Sequence, residues 1–445
     1  MNTILVLGAG LSSTYLINYL IAHAATYNWE ITVADGNLET AKLKTNNNPL
    51  TKAVCINAND EQAVSDLIKQ HDVVISMLPA FMHVPIAKNC ITHKKHLITA
   101  SYISNEMQEL HTQAIEAGVL LLNECGLDPG IDHLSAIKLI HEIKDKGGMI
   151  TSFKSFCGGL VSPKYDDNPW NYKFTWNPRN VVVAGQSTAK YLSQGEIKFI
   201  PPSRIFTETE NIEIENHGAY ESYANRDSLG YINVYGIENA QTVLRGTLRK
   251  KGFSKAWNNL VKLGLTDDSF VIPNSDEMTY RELLNAFTPG DNINNLEQRV
   301  ASFLNITTTN QEFEKLKWLG LFENQKITCK AGSPAAILQA LLQQKWKLKE
   351  GELDRIVMYH ELEYKVNNKQ KKVTSSLVVD GETQVLTAMA KTVGLPLAIA
   401  TKLIMLNKIQ LKGVHLPLLP ELYLPILEEL KTYGIRFEEK EFSLE

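Results

Sequence analysis

The chain has 445 residues, a formal net charge of −4 and a hydrophobic content of 44%, ordinary values for a globular protein of two or three domains. The acidic balance provides no basic face for nucleic acid, and no apolar run reaches the roughly 20 residues that a membrane span needs. Scattered cysteines without a C-x-x-C pair argue against a disulfide framework and a zinc site. The N-terminus starts on a strand pattern without a signal-peptide core, so we expect a soluble cytoplasmic protein with no nucleic-acid, membrane or metal partner.

Strands and helices alternate through the first third of the chain. Hydrophobic periodicity predicts strands over residues 3–7, 30–34, 52–56, 72–78, 96–100 and 118–125, and helices over 12–25, 61–70, 84–91 and 105–117. Strands rich in Val, Ile and Leu that alternate with helices indicate a parallel sheet covered on both faces. We therefore expect an α/β domain over residues 1–126.

The pattern changes after this point. A turn over 127–130 and a predicted helix over 131–144 lead to short strands over 151–239. Alternating residues over 355–366 and 372–379, joined across Asn367-Asn368, predict a long antiparallel hairpin. We predict a second, α+β substrate and dimerisation domain over 127–386, with a mainly helical insertion at 240–321. The segment 387–445, which begins with a predicted helix over 387–406, is expected to return to the first domain.

Two glycines lie between the first predicted strand and the first predicted helix. The pattern assigns Gly8 to a tight turn and Gly10 to a position where a side chain would block a pyrophosphate. Backbone N–H groups at the start of the helix favour phosphate oxygens. Ser13 replaces the usual third glycine, but Asp35 ends the next strand as the motif requires. The sequence therefore predicts a Rossmann-type, doubly wound domain that binds a dinucleotide.

Asp35 also bears on the choice of dinucleotide. A carboxylate there accepts hydrogen bonds from the adenosine ribose hydroxyls of NAD and repels the 2′-phosphate of NADP. Gly36 and Asn37 follow it, so no Arg is present to bind a phosphate. We therefore predict NAD(H). Because ligands bind at the carboxyl ends of such strands, the expected cofactor-binding residues in this domain are Gly8, Ala9, Gly10, Leu11, Ser12, Asp35, Asn57, Ala58, Leu78, Ala100 and Ser101.

The stretch Asn123-Glu124-Cys125-Gly126-Leu127-Asp128-Pro129-Gly130-Ile131-Asp132-His133 resembles saccharopine dehydrogenases of the glutamate-forming type. Similar landmarks follow in the family's order. They are Cys157-Gly158-Gly159-Leu160, Asp167-Asn168-Pro169, Tyr172-Lys173-Phe174-Thr175-Trp176, Asn225-Arg226-Asp227-Ser228, Arg245-Gly246-Thr247-Leu248-Arg249, Leu316-Lys317-Trp318-Leu319-Gly320 and Ala388-Met389-Ala390-Lys391-Thr392-Val393-Gly394. Together they span nearly the whole chain.

The resemblance implies an enzyme of lysine metabolism that reduces the imine of glutamate and 2-aminoadipate 6-semialdehyde to saccharopine, or runs the reverse oxidation. It implies substrate contacts at Ser101, Tyr102, Arg226, Thr247, Leu248 and Arg249. It implies further cofactor contacts at Leu127, Asp128, Pro129, Gly130 and Thr175. Members that use NADP carry an Arg after the second strand that this sequence lacks, so the resemblance keeps NADP(H) open. It also suggests a homodimer.

The implied chemistry needs cations for the substrate carboxylates and groups that move a proton. Arg245 and Arg249 are four residues apart, so they would share a face if they lay on a helix. Tyr102, Asp128 and His133 are candidate proton relays by location. We predict that Tyr102 and Asp128 are the catalytic residues, without deciding which of them moves the proton.

Two alternatives remain open at the level of the sequence. One is a related imine-reducing dehydrogenase with another amine and carbonyl pair, such as a carboxylated polyamine. The number of carboxylate-binding arginines distinguishes it, because saccharopine demands more of them. The other is a non-catalytic protein that senses a dinucleotide and has kept the fold.

Overall fold

Residues 2–290 and 292–444 are described by the computed structural model. They divide into two units, one of Met1–Gly148 with Leu377–Glu438 and one of Met149–Ser376 with Glu439–Glu445. The first unit is thus longer than the predicted 1–126, since the helix after residue 130 belongs to it. The C-terminal return begins at Leu377 rather than at 387, and the final residues lie in the second unit.

The elements alternate regularly only in the N-terminal part of the chain. That part contains β1 (Asn2–Leu7), α1 (Thr14–Tyr27), β2 (Trp29–Asp35), α2 (Leu38–Thr45), β3 (Thr51–Cys55), α3 (Glu61–Lys69), β4 (Val73–Ser76), α4 (His83–His93), β5 (His96–Thr99), α5 (Asn105–Gln108), α6 (His111–Ala117), β6 (Leu120–Leu122) and α7 (Ile131–Asp145). Next come β7 (Met149–Val161), α8 (Pro178–Val182), β8 (Ala189–Ser193), β9 (Glu196–Ile200), β10 (Thr209–Ile214), β11 (Gly218–Ala224), α9 (Gly230–Val234), β12 (Thr242–Lys250), α10 (Phe253–Lys262), β13 (Ile272–Pro273), α11 (Tyr280–Ala286), α12 (Leu296–Leu304), α13 (Gln311–Leu319), β14 (Ala331–Gly332), α14 (Pro334–Lys345), β15 (Asp354–Val366) and β16 (Lys369–Asp380). The chain ends with α15 (Ala388–Met405), β17 (Gly413–His415), α16 (Pro420–Thr432) and β18 (Glu438–Leu444).

The first unit contains a parallel sheet of seven strands in the order β17-β6-β5-β4-β1-β2-β3. The inner strand β1 is apolar because both of its faces are covered, and Ile4, Leu5 and Val6 are fully buried. The predicted Rossmann-type doubly wound sheet is confirmed. The local predictions were incomplete: α2 and the edge strand β17 were missed, and the predicted helix over 105–117 is divided into α5 and α6.

The long helix α15 packs against α1 within the first unit. Its approach depends on Gly394, where a Cβ would lie 2.7 Å from Leu16 N. The helix is also long and apolar enough for a membrane span, contrary to the expectation from the sequence. However, 78% of its 18-residue apolar stretch is buried inside the protein. Such burial is typical of a helix in the core of a folded domain.

The second unit contains a mixed sheet of nine strands. Its main path is β10-β11-β12-β7-β15-β16-β18, with β8 paired to β12 and to β9. The predicted hairpin is present as β15 and β16, and its turn residues Asn367 and Asn368 have φ of 49° and 60°. Two such residues in a row give the left-handed turn whose twist matches the paired strands.

The predicted helical insertion over 240–321 was misplaced, because residues 242–250 form the strand β12 and the helices run from α10 to α14. β12 pairs with β7 on one side and β11 on the other, and such inter-strand bonds are not visible in a local pattern. Gly246 allows the close approach, since a Cβ there would lie 2.6 Å from Tyr223 O. Arg245 and Arg249 still share a face, because the period of a strand is two residues.

Candidate dinucleotide and substrate sites

The turn after β1 carries the two glycines that were predicted to accommodate a pyrophosphate. Gly8 has φ +96°, and a Cβ there would lie 3.2 Å from the Met77 backbone carbonyl, so another residue would be strained. Gly10 has no heavy atom within 4 Å of the position of a Cβ, so the space beside the turn is open. No side chain caps the turn Leu11–Ser13 or the start of α1, which leaves N–H groups for phosphate oxygens. These residues fit a dinucleotide.

Asp35 lies at the end of β2, beside that turn. Its Oδ2 accepts a hydrogen bond from Ala9 N at 2.7 Å, and its Oδ1 accepts one from Asn37 N at 2.9 Å. Each oxygen keeps a lone pair for a further donor. Residues 36–41 contain no Lys or Arg, and Lys42 pairs with Glu39 at 2.9 Å. A carboxylate with a free acceptor site on each oxygen can bind ribose hydroxyls.

The other predicted cofactor residues of the first unit follow the carboxyl ends of neighbouring strands. Asn57 and Ala58 follow β3, Leu78 follows β4, and Ala100 and Ser101 follow β5. All five are at least partly exposed. The fold therefore brings them to the edge of the sheet that carries the glycine turn, and their contacts with a cofactor stay predictions.

Tyr102 and Asp128, the predicted catalytic residues, are in contact. The Tyr102 hydroxyl donates a hydrogen bond to Asp128 Oδ1 at 2.8 Å. The loop Leu127–Gly130 that carries Asp128 is tightly folded, because a Cβ on Gly130 would lie 2.0 Å from Gly126 O. The pair therefore has a defined geometry beyond the ends of β5 and β6.

His133, a further relay candidate, is fully buried and pairs with Glu124, at 2.6 Å between His133 Nε2 and Glu124 Oε2. Glu124 Oε1 also accepts a hydrogen bond from Ile103 N at 2.9 Å. Glu124 thus connects the loop after β5 to the start of α7 and supports the positions of Tyr102 and Asp128. Sequence reasoning missed this role of Glu124, because one acidic residue in a buried loop has no periodic signal.

Arg249 in β12 has a buried guanidinium group, 3% exposed, among aromatic rings. Its Cζ lies 4.9 Å from the centroid of Tyr172, 5.4 Å from Phe253 and 5.9 Å from Tyr223. Its Nη1 donates to Leu248 O at 2.9 Å, whereas Nε has no hydrogen-bond partner among the described residues. Among residues 2–290 and 292–444, no carboxylate pairs with it. Because burial of a cation that makes no ion pair is costly and aromatic rings offset it only in part, this environment suits an anionic ligand group.

The other predicted substrate residues of the second unit lie near Arg249 in sequence or in the turn after β11. Thr247 and Leu248 precede it in β12, and Thr247 is partly exposed. Arg226 has φ +55°, and its carbonyl accepts a hydrogen bond from Lys190 N at 2.8 Å. This backbone conformation is uncommon for a residue with a side chain and is held by its neighbours.

Two more residues of the second unit have features of ligand contacts. Arg245 is 7% exposed, with its guanidinium 4.1 Å from the Tyr231 ring. Thr175, a predicted cofactor contact, is 5% exposed, and its Oγ1 has no hydrogen-bond partner in the part of the chain that the structure describes. A buried hydroxyl without a partner suits a bond to a ligand, so Thr175 remains a prediction with a physical basis.

Family models match both parts of the chain. A model described as Saccharopine dehydrogenase NADP binding domain matches residues 4–122, and one described as Saccharopine dehydrogenase C-terminal domain matches residues 126–435. The chain belongs to the saccharopine dehydrogenase family. The resemblance predicted from the stretch 123–133 is confirmed.

Individual members of the saccharopine dehydrogenase family match this chain over different shares of their own length. Saccharopine dehydrogenase [NADP(+), L-glutamate-forming] of Schizosaccharomyces pombe is 34% identical over 449 residues, which cover 99% of both chains. Alpha-aminoadipic semialdehyde synthase of Arabidopsis thaliana is 38% identical over 409 residues, which cover 87% of this chain but 38% of that protein. This chain therefore spans less than half of that longer relative. The solved structure of apo histidine-tagged saccharopine dehydrogenase (L-Glu forming) from Saccharomyces cerevisiae matches with a TM-score of 0.89 at 33% identity, covering 99% of this chain and 100% of that one.

These comparisons also bear on the cofactor. The matched N-terminal domain is described as NADP binding, and the S. pombe relative has NADP(+) in its name. A nicotinamide dinucleotide is therefore the cofactor class of the family. The preference for NAD(H) that was predicted from Asp35 is not supported by these relatives, which indicate NADP(H).

Proposed function

We propose that this chain catalyses the reversible reduction of the imine of glutamate and 2-aminoadipate 6-semialdehyde to saccharopine, with a nicotinamide dinucleotide, in lysine metabolism. The observation that carries the proposal is the buried guanidinium of Arg249, with which no carboxylate of residues 2–290 and 292–444 forms an ion pair. Saccharopine has several carboxylates, and an Arg fork binds a carboxylate in a bidentate manner. Family membership and the relatives named for this reaction support the same assignment.

The chemistry has two parts, a hydride and a proton. When bound, the reduced dinucleotide supplies the hydride that turns the C=N bond into CH–NH, and the imine nitrogen takes up a proton. The Tyr102 hydroxyl, which donates a hydrogen bond to Asp128 Oδ1, can give this proton to the imine nitrogen, and the partly exposed pair then takes up a proton from solvent. Glu124 and His133 support the loop that carries Asp128.

The purified chain is expected to oxidise the reduced dinucleotide only when glutamate and 2-aminoadipate 6-semialdehyde are both present, as measured by the loss of nicotinamide absorbance. Turnover of a carboxylated polyamine pair instead would favour the related imine reductase. Dinucleotide binding without turnover of either pair would favour the sensor. A homodimer, a cytoplasmic location and the absence of nucleic-acid and membrane partners stay predictions.

Replacing Asp128 with asparagine is expected to lower kcat by about 100-fold, because the amide cannot support proton transfer from Tyr102. Tyr102→Phe is expected to have an effect of the same order. Steady-state kinetics at saturating substrate provide the measurement, with Asp145→Asn at the exposed end of α7 as the control. An unchanged kcat with only a raised KM would show that the pair binds substrate without moving a proton.

The choice between NADP(H) and NAD(H) is a separate proposal. The relatives support NADP(H), but the residues of this chain around Asp35 differ from what a 2′-phosphate requires. The Asp35 carboxylate would face that phosphate, and no cation lies in residues 36–41 to offset the repulsion. We infer that Asp35 gives this member of the family a preference for NAD(H).

Replacing Asp35 with asparagine is expected to shift the ratio of kcat/KM for NADPH over NADH upward by roughly tenfold, because the charge is removed while an oxygen remains for Ala9 N. Asp72→Asn is the matched control, since Asp72 Oδ2 also accepts a backbone hydrogen bond, from Thr3 N at 2.9 Å, before β4. The ratio of kcat/KM for NADPH over NADH should not change in Asp72→Asn. If the unmodified chain uses NADPH better than NADH, the preference for NAD(H) is refuted.

A further inference from the structure

His83, the first residue of α4, links the carboxyl ends of β4 and β5. Its ring is 4% exposed, with Nδ1 3.0 Å from Ser76 Oγ. Its Nε2 lies 2.8 Å from Ser101 Oγ and 3.0 Å from Thr99 Oγ1. Ser76 and Thr99 are 1% exposed, whereas Ser101 is partly exposed. The hydrogen bonds therefore run from buried strand ends to a hydroxyl that a ligand can reach.

The ring of His83 is held in one orientation. Burial lowers the pKa of His83 to about 4, so the imidazole is neutral at pH 7 and has one donor and one acceptor nitrogen. Each hydroxyl partner can donate or accept, so every polar atom of the ring is satisfied in either tautomer. A ring held at both nitrogens in turn restricts the rotation of the Ser101 hydroxyl.

The strand order indicates which half of a dinucleotide lies near Ser101. The glycine turn follows the inner strand β1, and Asp35 lies at the end of β2 on one side of it, where the adenosine ribose binds in this fold. β4 and β5 lie on the other side of β1. A dinucleotide with its pyrophosphate at the glycine turn therefore extends its nicotinamide half across the ends of β4 and β5, where Ser101 lies.

We propose that His83 is a positioning residue that orients the Ser101 hydroxyl toward the nicotinamide half of the bound dinucleotide. The ring acts through Ser101 and does not itself touch the ligand. This inference rests on the dinucleotide binding in the proposed function and is independent of the imine substrate.

Calorimetric titration with NADH, NADPH and ADP-ribose tests the proposal, because ADP-ribose lacks the nicotinamide half. His83→Phe is expected to raise Kd for the dinucleotide that the unmodified chain prefers by about threefold to tenfold, with Kd for ADP-ribose unchanged. In a Ser101→Ala background, His83→Phe should cause no further change. His83→Gln should recover part of the affinity for the dinucleotide, because the Gln amide has a donor and an acceptor. If the Phe variant does not fold, the Gln variant decides the test.

His71→Phe is the matched control. His71 is 5% exposed, precedes β4 and has Nε2 2.8 Å from Thr32 Oγ1, so it is a buried ring of the same type at the other end of the strand. Its loss should leave both affinities unchanged. The proposal would be overturned if His83→Phe raised Kd equally for the dinucleotide and for ADP-ribose, or raised neither. It would also be overturned if the increases in Kd caused by His83→Phe and Ser101→Ala multiplied in the double variant. If the unmodified chain binds a dinucleotide but does not reduce the imine, only the proposed substrate is refuted. If it binds neither dinucleotide, the proposed function and the role of His83 are both refuted.

Discussion

Replacing Arg249 with methionine is expected to lower kcat/KM for saccharopine by about 100-fold or more, because a substrate carboxylate would lose its charged partner in a buried place. The same change should leave the free energy of unfolding within about 1 kcal/mol of the unmodified chain, since no protein carboxylate pairs with this guanidinium in the described residues. Steady-state kinetics and denaturant unfolding measure the two effects. Arg249→Lys should recover part of kcat/KM, because it keeps the charge without the fork.

Arg299→Met is the contrasting control for Arg249. Arg299 donates from Nε to Pro289 O at 2.9 Å, from Nη1 to Asn292 O at 2.9 Å and from Nη2 to Thr288 O at 2.8 Å, so its role is to hold a loop. Its loss is expected to lower the free energy of unfolding by about 2 kcal/mol and to leave kcat/KM unchanged. If Arg249→Met destabilises the chain in the same way and leaves kcat/KM intact, Arg249 is a structural residue and the proposed function loses its main support.

Replacing Gly10 with alanine is expected to raise Kd for the dinucleotide by about 10-fold to 100-fold without a change in thermal stability. The methyl group would meet nothing in the free protein, since no heavy atom lies within 4 Å, but it would fill the space that a pyrophosphate needs. Gly10 has φ −66°, a conformation that alanine also adopts, so no backbone strain arises. Calorimetric titration and thermal unfolding measure the two quantities.

Gly8→Ala provides the comparison for Gly10. Gly8 has φ +96° and a close approach to Met77, so its replacement is expected to lower the melting temperature by several degrees. Unchanged affinity in Gly10→Ala would mean that the phosphates do not approach this turn. A lowered melting temperature in Gly10→Ala would mean that the turn is packed more closely than the structure indicates.

The two units differed in how far local patterns predicted them. In the first unit, the inner parallel strands β1, β4 and β5 are largely apolar, and each of them can be recognised from a few consecutive residues, whereas the short edge strand β17 was not predicted. The missed helix α2 had a local signal, because Asn37 accepts hydrogen bonds from Glu39 N and Thr40 N as its N-cap and Asn46 ends it with φ 47°. That signal was overlooked because the helix has little apolar periodicity.

In the second unit, residues 242–250 were predicted within a helical segment, and the apolar and polar pattern there does not distinguish the two structures. The strand exists because β7 and β11 lie on either side of it, and those contacts join residues far apart in the chain. Tertiary pairing therefore overrode a weak local preference.

The amino-acid sequence by itself determined the parallel sheet, the glycine turn and Asp35, because each depends on the spacing of neighbouring residues. It also identified Arg249 as a substrate residue through the resemblance to the family. Only the tertiary structure decided that this guanidinium is buried among Tyr172, Tyr223 and Phe253 with no ion pair in the described part of the chain, since these rings come from separate segments. The hydrogen bonds of His83 likewise join β4, β5 and α4, and a single histidine in a sequence has no pattern that reveals such partners.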